Sequence, residues 1–356
     1  MLRVVRVFCV VGAALAVALA GCGGGGSGTA PSGPAPPDPL YVRTGGKDTN
    51  SGGDPANALK TIGKAAQLAR SGYTIIVGSG TYHEGGITNA RTQMVAPQAL
   101  SFIADAGGNQ TGDAAGAVTL DGTGTGSSAG FNLSSAPGSV IDGFTITGFP
   151  DAGIVIKSSS DDFTIQNCII TDNPGDGIRI QDSASVLIFN NLLSGNGGNG
   201  IGIVGGISGS PNARVLSNTV VGNGTAAAAP RGITIGTSKT ASPNALVHNN
   251  IVQGNSGDAN IKVFTSPRSD LGYDGDYNLV FPGAYIPNEI KGSHDFNGDA
   301  RFTGDFHLQT TSQAIDRGGP LNLPNSQTTI LRGRTTTGTN LDTGTFDLGF
   351  HFLRTR

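Results

Sequence analysis

The sequence predicts an all-β solenoid, a parallel β-helix, and two periodic lines and a turn-rich composition predict it. One tetrad recurs as Gly130-Phe131-Asn132-Leu133, Gly153-Ile154-Val155-Ile156, Gly177-Ile178-Arg179-Ile180, Gly200-Ile201-Gly202-Ile203 and Gly232-Ile233-Thr234-Ile235, with a degraded copy at Asn260-Ile261-Lys262-Val263. The intervals between its first residues are 23, 24, 23, 32 and 28. A second line runs in phase: Ile165-Gln166-Asn167-Cys168-Ile169-Ile170, Ile188-Phe189-Asn190-Asn191-Leu192-Leu193, Val215-Leu216-Ser217-Asn218-Thr219-Val220 and Val247-His248-Asn249-Asn250-Ile251-Val252. Each copy is followed three residues on by Asn173, Asn196, Asn223 or Asn255. A fixed period of this size marks a solenoid. Three strands of three to five residues and three turns consume about 23 residues, the unit of a β-helix.

The composition agrees. Gly alone accounts for 58 residues, and Gly, Asn and Asp together make up about 30% of the chain. Glu occurs only at positions 84 and 289, and Trp is absent. A helical bundle needs Ala, Leu, Glu and Lys, so that class is excluded. The formal charge of −3 is too mild for a nucleic-acid partner.

Taken in order, residues 1–21 read as a signal peptide. Arg3 and Arg6 precede an apolar run that ends Leu19-Ala20-Gly21-Cys22. That ending resembles a bacterial lipobox, which implies cleavage before Cys22 and acylation of it; a secretory leader with a chance Cys is the alternative. Residues 22–39 are Gly, Ser, Pro and Ala with almost no charge, a flexible tether. The expected location is the bacterial cell envelope, extracytoplasmic and lipid-anchored, at the outer membrane or cell surface. Of three cysteines only Cys168 remains in the folded part, so no intrachain disulfide is possible there.

The solenoid is expected over 40–283. Asp54 as N-cap, Pro55 at the first position, and apolar Leu59, Ile62, Ala65, Ala66 and Ala69 predict one amphipathic capping helix over 55–69. Beyond residue 284 the period is lost, and 284–356 should form an irregular C-terminal cap.

Strand parity places the two apolar residues of each tetrad inward and the residue between them outward. The outward column is Asn132, Val155, Arg179, Gly202, Thr234 and Lys262. The same parity, run along the second line, places Asn167, Asn190, Ser217 and Asn249 inward. A structural amide ladder of Asn167, Asn190 and Asn249 is therefore expected, because buried amides are costly unless paired. The next column, Asn191, Asn218 and Asn250, suits turns where Asn tolerates positive φ.

The chain also resembles a known family. Tyr41-Val42, Gly46-Lys47-Asp48, Lys60-Thr61-Ile62-Gly63-Lys64-Ala65, Gly72-Tyr73-Thr74-Ile75-Ile76-Val77 and Gly80-Thr81-Tyr82-His83-Glu84 resemble the opening of pectin-lyase-like proteins. The two repeated lines are similar to parallel β-helix repeats. The tail, with Gly304-Asp305-Phe306-His307-Leu308, Ser312 to Gly318 and Asp347-Leu348-Gly349-Phe350, resembles that of extracellular β-helix proteins with varied surface anchors. The usual acidic residue after the terminal aromatic is replaced by His351. The resemblance implies a right-handed, single-stranded parallel β-helix and a polysaccharide partner, while the superfamily holds lyases, hydrolases, epimerases and non-enzymes.

A lyase of this type needs a Lys or Arg base and commonly Ca²⁺ held by several carboxylates; binding alone requires no cofactor. No two successive coils carry carboxylates at one position. Asp142 is followed by Gln166, Asp172 lies between Gly148 and Gly195, and Asp176 lies between Ala152 and Asn199. No metal site is therefore assigned. Arg179, Asp176 and Lys262 are the candidate catalytic residues, and Arg179, Thr234 and Lys262 the candidate substrate-binding ones. Arg179 and Lys262 are three coils apart, roughly 14 Å, which suits contact with several sugar units. Asp48, Asn50 and Asp54 superficially resemble a Ca²⁺ loop, but Leu59 stands where a Glu is required. The expected function is a monomeric surface lipoprotein that binds or processes polysaccharide, an acidic one being suited by these cations. If it is an enzyme, a lyase is favoured over a hydrolase or epimerase, and a non-catalytic adhesive protein is the other alternative. Two long insertions, 204–213 and 223–231, are expected to flank the binding face.

Overall fold

In a computed structural model of the chain, the described residues run from Asp38 to Phe352, apart from 90–98, 158–159, 182–184, 205–211, 226–230, 237–243, 265–272, 284, 288–289 and 338–339. Among the described residues, each complete coil contributes one short strand to each of three parallel sheets, and the first coils lack one or two of them. Sheet 1 has nine strands, from Leu40–Val42 to Tyr273–Asp276. Sheet 2 has eight, from Gly80–Tyr82 to Leu279–Phe281, and sheet 3 has seven, from Ala129–Ser134 to Tyr285–Ile286. The repeat period is thus one coil. In sheet 3 Ile178 pairs with Ile154 before it and Ile201 after it.

Inside the coils the apolar columns are fully buried. Ile154, Ile156, Ile178, Ile180, Ile201, Ile203, Ile233 and Ile235 line the sheet 3 side, and Ile141, Ile165, Ile188, Val215 and Val247 the sheet 1 side. Full burial of one such side chain contributes roughly 1.5–3 kcal/mol. Each coil touches only its neighbours, so these increments accumulate along the axis. Cys168 lies in this core, and burial pushes its thiol pKa up to about 12, which leaves it inert.

The corners correct the expected ladder. Strands of sheet 1 stop one residue earlier than parity assumes, and Asn167, Asn190, Ser217 and Asn249 take positive φ of 57°, 52°, 53° and 61°. A left-handed residue bends the chain out of the strand and breaks its alternation, so the residue after it faces inward. The continuous ladder is therefore Asn191, Asn218, Asn250 and Asn278, with all four side chains buried. The Asn218 Oδ1 accepts from both the backbone N–H and the Nδ2 of Asn191, at 2.9 and 3.0 Å. The Asn218 Nδ2 in turn donates to the Ile188 carbonyl at 2.9 Å. The carbonyl that the ending strand would orphan is thereby satisfied. The ladder begins at the Cys168 N–H, bonded to Asn191 Oδ1, and terminates on the buried carboxylate of Asp295.

A second ladder occupies the next corner. Gly148, Asp172, Gly195, Gly222 and Gly254 all take positive φ there. The residues one step on are Phe149, then Asn173, Asn196, Asn223 and Asn255, bonded amide to amide in sequence. Phe144 and Phe149 hold the two inward corner positions of one early coil as apolar plugs, and later coils hold them with amides. The column proposed for the ladder retains one amide pair, Asn190 Nδ2 to Asn167 Oδ1 at 2.9 Å.

At the N-terminal end a single helix over 55–69 does not form. Pro55–Asn57 is a 3-10 turn capped by Asp54, and α1 (Ile62–Leu68) starts afresh with Thr61 as its N-cap. Between them Leu59 bridges to Val42 as a strand would. The Asp48 carboxylate holds the break by accepting from the Lys60 and Thr61 backbone N–H groups. Ile62, Ala65 and Ala66 bury against the first coils, and Glu84 accepts from the N–H groups of Ile62 and Gly63 at the start of α1.

The C-terminal segment does more than close the end. Ile290 enters the solenoid core and Asp295 ends the ladder. The chain then folds back along the outside. Ile330 and Leu331, with α2 at Asn325–Ile330, cover the outward residues Phe189 and Leu216 of sheet 1. Ala300, Leu308, Ala314 and Leu348 cover Ile251 and Leu279 of sheet 2.

Candidate functional site

With sheets 1 and 2 overlaid in their later coils, the outer face of sheet 3 carries the candidate residues. Asn132, Val155, Arg179, Gly202, Thr234 and Lys262 pair in succession from strand to strand. The column does face away from the core, but it is not a row of free side chains. Val155 packs on Ala129 and Ala152, and Thr234 is buried with its hydroxyl donating to Asn199 Oδ1 at 2.7 Å.

Arg179 is clamped. Its Nε donates to Asp176 Oδ2 at 2.7 Å, its Nη1 to Asp151 Oδ1 at 2.6 Å and its Nη2 to the Asp151 carbonyl at 3.0 Å. Burial works against its charge, but Asp176 and Asp151 outweigh that and raise its pKa above the ordinary arginine value. Asp176 Oδ1 turns the other way and accepts from the Asn199 backbone N–H at 2.7 Å. A chain of polar contacts thus runs Asp151–Arg179–Asp176–Asn199–Thr234 across four coils.

Asp176 reaches Arg179 because the strand bends at the tetrad glycine. The Gly177 and Ile178 N–H groups both donate to the following coil, to the Asn199 and Gly200 carbonyls. A regular strand alternates its donors, so this pair marks a local break in the pleat.

Lys262 sits in a second group. Its Nζ donates to Asp258 Oδ2 at 2.6 Å, and Arg231 Nε donates to Asp258 Oδ1 at 2.5 Å. These bonds, led by the one from Arg231, hold the Asp258 carboxyl far below its ordinary range. Phe264 lies beside both cations, 4.9 Å from the Lys262 Nζ and 5.7 Å from the Arg231 guanidinium carbon.

Arg179, Asp176 and Thr234 are therefore brought into one network and Lys262 into another. Asp151, Asn199, Arg231 and Asp258 complete them and were not singled out from the sequence. A signal for two of them existed. The position before the tetrad glycine is Ala129 and Ala152 in early coils, then Asp176, Asn199 and Arg231. Cys22 and most of both long insertions (205–211 and 226–230) lie outside the described residues.

Among the described residues, one group of three carboxylates, Asp316, Asp342 and Asp347, brings its oxygens within 4.8 Å of one another. It belongs to the C-terminal segment. Asp342 Oδ2 already accepts from the Asp347 N–H and lies 3.0 Å from His351 Nε2, and Asp347 Oδ1 accepts from the Asp316 N–H. On sheet 3 the two neighbouring carboxylates, Asp151 and Asp176, converge on Arg179 instead.

A family model described as a right handed beta helix region matches residues 108–219. The crystal structure of pectate lyase Pel9A superposes with a TM-score of 0.50, over 88% of this chain and 98% of that one, at 14% identity. The chain has the pectin-lyase-like right-handed β-helix fold. A structure of XylC in complex with xylose aligns over 74% of this chain and 87% of its own, with a TM-score of 0.38 and 10% identity. No curated protein matches the sequence of this β-helix.

Proposed function

We propose that this β-helix is an extracytoplasmic, lipid-anchored envelope protein that binds polysaccharide along the outer face of sheet 3, and that it works as a monomer. The observation that carries the reading is the polar ridge itself. Its side chains are fixed by one another before any ligand arrives, so little ordering remains to oppose binding. Three cations, Arg179, Arg231 and Lys262, alternate with three carboxylates, Asp151, Asp176 and Asp258. Such a ridge offers donors and acceptors to sugar hydroxyls with little net charge.

The same geometry favours binding over proton abstraction. A lyase base must be deprotonated to accept the substrate's proton, and Arg179 between two carboxylates is held in its charged form. Lys262 is held by Asp258. Lyase activity is the second reading, favoured by the fold shared with a pectate lyase.

A glycan array probed with the purified protein tests the reading. A ligand bound by wild type should lose affinity in the Arg179→Ala/Lys262→Ala double variant. Added salt should weaken binding of a carboxylated glycan and spare a neutral one. Unchanged binding in the double variant would remove the ridge from consideration. Ultraviolet absorbance of unsaturated product, read in parallel, would replace binding with lysis.

A further inference from the structure

We propose that a cleft at the N-terminal rim of the solenoid binds an oxyanion carried on a hydroxyl-rich molecule, either a uronate or a sugar phosphate. This site is separate from the sheet 3 ridge and does not rest on that reading. The cleft has a volume of about 570 Å³, inside the range of small-molecule sites. Its walls come from the turn after the first strand, the segment around the 3-10 turn, and Asp113 from a later loop.

The walls are fixed by their own backbone bonds. Gly46 N–H donates to the Arg43 carbonyl, Lys47 N–H to the Ala58 carbonyl and Asn50 N–H to the Lys47 carbonyl, at 2.8 to 3.1 Å. Arg43 is equally fixed. Its Nε donates to Asp113 Oδ1 at 2.9 Å, its Nη2 pairs with the same oxygen, and its Nη1 donates to the Pro55 carbonyl at 3.1 Å. Three of its five N–H groups are used and two remain. The hydrogen bond that Arg43 donates to Asp113 raises the pKa of Arg43, so it stays charged. The second oxygen of Asp113 is buried against Gly78.

The electrostatic balance follows. Arg43 and the exposed Lys47 line the cleft with one carboxylate that is already paired with Arg43, so the lining residues sum to one positive charge, and Asp54, bonded to Asn57, stands just outside them. Guanidinium and ammonium groups suit carboxylate and phosphate oxygens. Asn50 and Asn57 add carboxamide oxygens that accept from hydroxyls. The lining holds no aromatic ring, so recognition is polar rather than by stacking. The ridge on sheet 3, by contrast, has balanced charge.

Gly45 supplies a clean test. It lines the cleft, a Cβ there would meet nothing within 4 Å, and its φ is not positive. Gly45→Glu therefore places a carboxylate in the cleft without straining the fold. Calorimetric titration would use galacturonate, glucose 6-phosphate and glucose as probes, with wild type, Gly45→Glu, Lys47→Ala and the sheet 3 double variant. At least one of the two anions should bind wild type, with glucose about tenfold weaker or more, as expected for loss of a charge-assisted contact. Gly45→Glu and Lys47→Ala should each weaken the anion by about tenfold at unchanged melting temperature. Which anion binds separates a carboxylate from a phosphate ligand. Failure of both anions to bind, glucose binding equally well, or an affinity untouched by both cleft variants would overturn the proposal. Loss in the sheet 3 double variant alone would assign the anion to the ridge and overturn it too.

Discussion

Gly177 lies directly against the side-chain amide of Asn196. A Cβ on Gly177 would sit 3.1 Å from Asn196 Nδ2 and 2.7 Å from the Gly200 carbonyl oxygen. Gly153 with Asn173, Gly200 with Asn223 and Gly232 with Asn255 repeat the arrangement at 3.2, 3.0 and 2.7 Å. The two periodic lines in the sequence therefore meet here: the tetrad glycine makes room for the next coil's carbonyl, a core aliphatic side chain and the second amide ladder. Gly177→Ala should destabilise the protein by about 1–3 kcal/mol, because a methyl group must displace either the amide or the neighbouring strand. Urea denaturation measures it, and a change under about 0.5 kcal/mol would show that the coil relaxes freely.

Within the first ladder, Asn218→Ala should cost about 3 kcal/mol. It strands the Asn191 backbone N–H and the Ile188 carbonyl, both buried. Asn132→Ala on the outward column should cost less than about 0.5 kcal/mol. Equal losses in equilibrium unfolding would place the ladder in the wrong register.

Leu216 faces outward by parity, yet it is completely buried under the C-terminal segment. Leu216→Ala should behave as a core truncation and cost about 2–5 kcal/mol. It should also bare the adjoining strap residues to limited proteolysis. A neutral Leu216→Ala in thermal melts would detach the strap from sheet 1.

Glu84 should give the protein a distinct pH response. Burial raises its pKa, and the N–H groups of Gly63 and Ile62 only partly offset this. The folded state therefore takes up the proton at a higher pH than the unfolded chain. The contribution of Glu84 to stability should be greatest below its unfolded pKa and fade as pH rises through its folded pKa. Relative to Glu84→Gln, the wild type should thus gain stability as pH falls from neutral toward 4. Wild type losing stability relative to Glu84→Gln on acidification would reverse the assignment.

Cys22→Ser should release the protein from the membrane fraction or stall its processing. Among the described residues, no helix is long and apolar enough to cross a membrane. Processed mutant that still sediments with membranes would remove the lipid anchor from the proposal.

The ridge was half legible in advance. Arg179, Thr234 and Lys262 could be placed in one column because each coil repeats its tetrad, and the register of sheet 3 follows that spacing. Asp151 and Asp258 could not, since they lie in turns, where a side chain's direction depends on local backbone angles rather than on period. The cleft around Arg43 was invisible for a further reason. Asp113 comes to it from 70 residues away.

The repeat by itself determined that the chain is a stack of three-stranded coils, which residues form the apolar columns, and that amides would line the interior. Nearest-neighbour packing writes a period into the sequence, and a period can be read without coordinates. Only the tertiary structure decided which amides face inward. One left-handed residue, such as Asn190 at φ 52°, reverses the parity without changing the spacing. It also decided which outer faces the C-terminal segment covers. His351 N–H donates to Asn190 Oδ1 and Asn190 Nδ2 donates back to the His351 carbonyl, across 161 residues. Contacts between segments so far apart carry no period, so the strap that covers sheets 1 and 2 left no repeating trace in the sequence.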